Sequence, residues 1–149
     1  MRIGLDAMGG DHAPAEEVRG ALTARELLGP EDKIVLVGRR DAILEHLAGA
    51  DDWERQIEIV HAEQVVAMDE PPVEAMRNKP DSSIAVLAHL AAEKKVDACV
   101  SAGNTGACVA AAQMRLRRLP GVHRPGIAVL TPTFHGPVVL CDVGANVQC

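Results

Sequence analysis

The chain has 149 residues, 48% of them hydrophobic and 24% charged, which is material for one soluble globular core. A formal net charge of -6 and only two aromatic residues, Trp53 and Phe134, argue against nucleic acid as a partner, because both cationic attraction and stacking platforms are missing. The cysteines Cys99, Cys108, Cys141 and Cys149 have no C-x-x-C spacing, and there is neither a signal-peptide pattern nor an apolar run of about eighteen residues, so a reduced, cytoplasmic protein without zinc is expected.

Short β-branched runs alternate with longer alanine-rich stretches, which predicts an α/β fold, a layered αβα architecture with a mainly parallel sheet. The first strand spans residues 2–6 and ends in Asp6-Ala7-Met8-Gly9-Gly10-Asp11. A helix over 14–28 follows, with Pro14 preset for its first turn. Then come a strand at 33–37, a helix at 40–48 and a strand at 56–61. Met68-Asp69-Glu70-Pro71-Pro72 cannot continue a helix, since two prolines remove amide donors, and it predicts a loop or a new start. Next are a helix at 82–95 behind Asp81, a strand at 96–101, a helix at 105–119 behind Asn104, and strands at 126–131 and 137–142. Several strands are apolar on both faces, as buried parallel strands are. There is no internal repeat or linker, and the chain stops soon after its last apolar run, which reads as an interrupted α/β domain over 1–149.

Three glycine-containing segments follow strands: the one after Asp6, then Ser101-Ala102-Gly103-Asn104-Thr105-Gly106, then Asp142-Val143-Gly144-Ala145-Asn146. Ligands of open parallel sheets bind at the carboxyl ends of strands, so all three could face one crevice; tight turns are the plainer reading of each alone. The second segment offers free amides and the positive end of a helix, a geometry suited to phosphate. It is neither a P-loop nor a dinucleotide fingerprint, so no nucleotide cofactor is expected.

Ser101 lacks the first glycine of a nucleophile elbow, which makes a serine nucleophile the weaker reading. Asp6 and Asp11 fit an organising role better than direct contact with an anion they would repel. His12, in the first glycine segment, could protonate a leaving group; the other histidines have no ligand spacing. Arg115, Arg117, Arg118 and Arg124, with His123, form the one basic cluster, either a solvated helix end or a docking patch for an acidic partner.

Leu5-Asp6-Ala7-Met8-Gly9-Gly10-Asp11-His12-Ala13-Pro14, Asp81-Ser82-Ser83, Val100-Ser101-Ala102-Gly103-Asn104-Thr105-Gly106-Ala107, Arg124-Pro125 and Asp142-Val143-Gly144-Ala145-Asn146, in this order, closely resemble the acyl carrier protein:phosphate acyltransferase family, the PlsX family. The resemblance covers the whole chain. It implies a transferase that uses inorganic phosphate to attack the thioester of acyl carrier protein, giving acyl phosphate for phospholipid synthesis. It further implies a fold like that of phosphotransacetylases and isocitrate or isopropylmalate dehydrogenases, a dimer, peripheral membrane association, and members roughly twice this length. The chain would then be the amino-terminal part. The glycine segments carry over as the phosphate and substrate site (Asp6, Gly9, Gly10, Asp11, Ser101, Gly103, Asn104, Thr105, Gly106, Asp142, Gly144 and Asn146), with His12 and Asn104 as catalytic candidates. Gln148 departs from the pattern, standing where an acidic residue is expected. A phosphotransacetylase-like enzyme acting on coenzyme A thioesters, or a non-catalytic piece, remain the alternatives.

Overall fold

A computed structural model describes residues 1–122 and 126–141, in two compact units divided between Arg117 and Arg118. In the first unit, β1 (Arg2–Asp6), β2 (Lys33–Gly38), β3 (Ile57–His61) and β4 (Ala98–Val100) form a parallel sheet in the order β3-β2-β1-β4. The α/β layering expected from the sequence is present.

β2 shows why the sheet is covered on both sides. Its alternate residues Ile34 and Leu36 pack with Val18, Ala21, Ile43 and Leu47 of the helices α1 (Ala15–Ala24) and α2 (Arg40–Leu47), with Trp53 partly buried against the same cluster. Val35 and Val37 face the other way and pack with Leu87 and Leu90 of α4 (Ser83–Ala92). Strand side chains alternate between faces, so an uninterrupted apolar run at this position requires helices on both sides. A third cluster joins α3 (Pro72–Asn78), α4 and α5 (Thr105–Arg115) through Ala75, Met76, Ile84, Ala85, Ala107 and Ala111. Arg2 closes the amino-terminal edge of the sheet with a two-pronged ion pair to Glu58 (2.9 and 2.7 Å), which holds that carboxyl below its ordinary range.

Boundaries differ from expectation where caps decide them. The helix expected over 14–28 ends at Ala24 and tightens into a 3-10 turn, Arg25–Leu27. The helix expected to 119 ends at Arg115, with Arg117 left-handed (φ 66°). The proline pair is a new start: Pro72 opens α3, where its missing amide costs nothing. Ser82 caps α4 by accepting the Ala85 N–H at 3.4 Å, while Asp81 accepts from the Glu63 N–H instead.

The last two strands, expected at 126–131 and 137–142, are present with bounds shifted by one or two residues. In the second unit, β5 (Ala128–Thr133) and β6 (Gly136–Cys141) form an antiparallel ribbon, mostly exposed. Only Phe134 and His135 separate them, far short of the dozen or so residues a parallel crossover needs. Gly136 takes the positive φ of the turn (113°), and the Thr133 hydroxyl donates to its carbonyl at 2.6 Å. Among the described residues of the first unit, β4 has no partner on its outer edge, and its residues are exposed. An open apolar groove of about 260 Å³, lined by Ile84, Leu87, Cys99, Val100, Cys108 and Ala111, runs beside it.

Candidate functional site

The carboxyl ends of β1 and β4 adjoin, so the glycine segments that follow them meet. Asp6, wholly buried at the end of β1, accepts the hydroxyl proton of Ser101 at 2.8 Å and the Met8 N–H at 3.1 Å. The Ser101 hydroxyl oxygen in turn accepts the Gly103 N–H at 3.1 Å. One carboxylate and one hydroxyl therefore stitch the two loops together, and both oxygens of Asp6 are taken up in the process. The stitch requires glycine on both sides. A Cβ at Gly9 would lie 2.5 Å from the Asp6 carboxylate and 2.9 Å from the Gly103 nitrogen, and one at Gly103 would lie 3.0 Å from the Gly9 Cα.

Asn104 organises the second loop from its other side. Its carbonyl oxygen caps α5 by accepting the Ala107 N–H at 3.0 Å, while its amide nitrogen donates to the carbonyls of Ala67, Met68 and Glu70 at 3.0–3.2 Å. The loop before α3 is thus pinned beside the start of α5. Lys79 adds a second fastening, bonded to the Val65 carbonyl and to the Glu70 carboxylate, which also accepts the Ala67 N–H. The Lys79 hydrogen bond holds the Glu70 carboxyl below its ordinary range. Pro72 sits against Gly106, where a Cβ would come within 2.5 Å of the proline ring.

The expected site residues divide by exposure. Asp6, Gly9, Gly103 and Asn104 are buried, and Gly10, Ser101 and Gly106 are half-buried, Gly10 beside the Glu17 carboxylate. Asp11, His12 and Thr105 are exposed. Asp142, Gly144, Asn146, Gln148 and Arg124 lie outside the described residues. Among the described residues no acceptor takes the amide N–H of Thr105 or Gly106, so the start of α5 keeps free donors at the positive end of its dipole. Arg115 and Arg117 are exposed, and Arg115 lies about 15 Å along α5 from Thr105 at an ordinary helical rise. Arg118 begins the second unit.

The sequence reading passed over Lys79 and the contact of Pro72 with Gly106, both of which bear on the site through the 67–72 loop. For Lys79 the signal was an opposite charge at each end of a seven-residue helix, Glu70 two residues before it and Lys79 directly after it.

A parallel α/β layer with stitched glycine loops at the carboxyl ends of adjoining strands puts the chain in the class of open α/β proteins, in which ligands sit outside the carboxyl ends of the strands. The chain belongs to the family described as "Fatty acid synthesis protein", which matches it over residues 1–149. It is 51% identical over 149 residues to a phosphate acyltransferase of Desulforamulus reducens, covering all of this chain and 44% of that relative. It is also 51% identical over 147 residues to one of Heliobacterium modesticaldum (98% of this chain, 43% of the relative) and 50% identical over 151 residues to one of Nostoc punctiforme (all of this chain, 44% of the relative). The resemblance read from the motifs is borne out, and the chain spans less than half the length of these relatives. No helix among the described residues is long and apolar enough to cross a membrane.

Proposed function

We propose that the protein of which this chain forms part transfers a fatty acyl group from the thioester of acyl carrier protein to inorganic phosphate, giving acyl phosphate for phospholipid synthesis. The observation that carries this reading is the stitched pair of loops, which leaves the Thr105 and Gly106 amides free at the start of α5. The names of the relatives support acyl transfer to phosphate.

A phosphate oxygen attacks the thioester carbonyl carbon, forming the new C–O bond. The carbonyl oxygen carries the developing charge until the C–S bond breaks and the thiolate leaves, to be protonated. Phosphate is itself the nucleophile, so no acyl group need pass through the enzyme; the protein orients the reactants and stabilises charge. The Thr105 and Gly106 amides would hold phosphate. Asp6, Ser101, Gly9, Gly103 and Asn104 would act as positioning residues, since their polar atoms are spent on one another or on neighbouring backbone. His12, on the exposed turn after the first loop, is the candidate proton donor to the thiolate. Asp142, Gly144 and Asn146 belong to this reading as substrate-site candidates carried over from the motif. A dimer that associates peripherally with the membrane from the cytoplasm belongs to the same reading.

The test is to give the full-length polypeptide phosphate with either an acyl carrier protein thioester or a coenzyme A thioester, trapping acyl phosphate as the hydroxamate. Phosphate-dependent product from the carrier thioester is expected. A strong preference for the coenzyme A thioester would reassign the protein to the phosphotransacetylase type, and no phosphate-dependent thiol release from either would overturn the proposal.

A further inference from the structure

A thioester that reacts at the glycine loops carries an acyl tail, and the open apolar groove of about 260 Å³ beside β4 begins at those loops. Ser101 lines one end of it, and the Ser101 hydroxyl is the group that joins Asp6 (2.8 Å) to the Gly103 N–H (3.1 Å). From there the groove runs between Ile84 and Leu87 of α4, Val100 of β4, and Cys108, Ala112 and Leu116 along α5 and its end.

The α5 wall ties the groove to the amides that would hold phosphate. Thr105, Cys108, Ala112 and Leu116 are spaced by three and then by four residues, so they share one face of the helix. At an ordinary helical rise Cys108 lies about 4.5 Å along the axis from Thr105, and the wall from Cys108 to Leu116 extends about 12 Å further. Among the described residues no charged side chain lines the groove, and Ser101 brings the one hydroxyl to it. Val100 and Leu116 are 50% and 48% exposed, so apolar surface is left here for a further apolar group to cover. A carbonyl reacting between Ser101 and the start of α5 would send its alkyl tail into this trough, away from the charged phosphate.

We propose that the groove between α4, β4 and α5 holds the acyl chain of the thioester, with the carbonyl at the Ser101 end and the tail directed toward Leu116. This rests on the acyltransferase reading above and adds to it the part of the protein that selects the substrate by chain length. Each methylene buried in such a groove favours binding by about threefold to fourfold, so a long chain is preferred to a short one until the trough is full.

The experiment takes two readouts on the full-length polypeptide. In the first, alkylation of Cys99, an exposed thiol on the groove wall, is timed by mass spectrometry without phosphate, so that no transfer takes place. Palmitoyl pantetheine is expected to slow it at least fivefold, and butyryl pantetheine far less. In the second, Ala112→Phe, which narrows the groove, is expected to lower kcat/KM for a palmitoyl thioester at least tenfold more than for a butyryl thioester. Leu116→Ser, at the exposed far end, should lower it severalfold more for the long chain and guards against misfolding of the phenylalanine variant. Equal losses for both chain lengths in the two variants, or alkylation indifferent to palmitoyl pantetheine, would overturn the assignment. So would a Cys99 already shielded in the ligand-free full-length protein, because the remaining polypeptide would then fill the groove. Protection of Cys99 with no phosphate-dependent transfer would keep the acyl-chain site and remove the acyltransferase reading, whereas transfer without protection would remove the groove alone.

Discussion

Replacing Asn104 separates the two things its side chain does. The amide nitrogen has two hydrogens for three carbonyls, so its contacts at 3.0–3.2 Å amount to two shared hydrogen bonds, and the carbonyl oxygen supplies the cap of α5. Loss of the cap costs about 1 kcal/mol. Loss of the two donors, at about 0.5–1.5 kcal/mol each, brings Asn104→Ala to roughly 2–4 kcal/mol of lost stability. Asn104→Asp keeps an oxygen to accept the Ala107 N–H, but turns a second oxygen toward the carbonyls of Ala67, Met68 and Glu70. The aspartate variant should therefore retain amide protection at the start of α5 and lose it over 67–72, whereas the alanine variant loses both. Urea denaturation gives the magnitude and hydrogen exchange read by mass spectrometry gives the pattern. An Asn104→Asp protein as stable as the parent, with 67–72 still protected, would refute this account of Asn104.

Gly9→Ala places a Cβ 2.5 Å from the Asp6 carboxylate and 2.9 Å from the Ser101 hydroxyl, so the two loops must part; activity of the full-length enzyme should fall at least a hundredfold while its far-UV circular dichroism stays near that of the parent. Glu70 has a folded-state pKa below its usual 4.5 because Lys79 donates to it, so its contribution to loop order is complete above about pH 4.5 and is lost as pH falls through the lower folded value; exchange over 67–72 should rise in that acid window, and Glu70→Gln should abolish the dependence. The 149-residue chain by itself should self-associate with increasing concentration, because the outer edge of β4 and the exposed Val129, Leu130, Val139 and Leu140 of the ribbon offer unpaired backbone and apolar surface; light scattering from a monodisperse monomer at every concentration would contradict this.

The parallel sheet was legible because β2 carries the uninterrupted apolar run Ile34-Val35-Leu36-Val37, and the start of α5 because Asn104 is a strong capping residue placed directly before it. The antiparallel pairing of the last two strands was not foreseen by a reading that expected a mainly parallel sheet, although the short gap around Phe134 and His135 already excluded a parallel crossover between them. Asp6, Ser101 and Asn104 could be chosen as site residues from the motifs, but not their partners. The Asp6–Ser101 bond joins residues 95 apart in sequence, and Asn104 reaches back 34 to 37 residues to the 67–70 carbonyls, distances at which local pattern carries no information. Pro72 against Gly106 was hidden for the same reason: a proline that ends one pattern and a glycine that opens another show no sign of touching until the chain is folded.

Trp53 gives this architecture a built-in optical label. It is the sole tryptophan in a chain with no tyrosine, and it packs against the α1–α2 face of the sheet, not against the cluster of α3, α4 and α5. Indole emission from the isolated chain therefore reports melting of one layer, while circular dichroism weighs the helices of both. If the two signals change together on denaturation, the layers unfold as a single cooperative body; if the emission changes alone, the face that carries α1 and α2 comes apart while the side bearing Asn104 still holds.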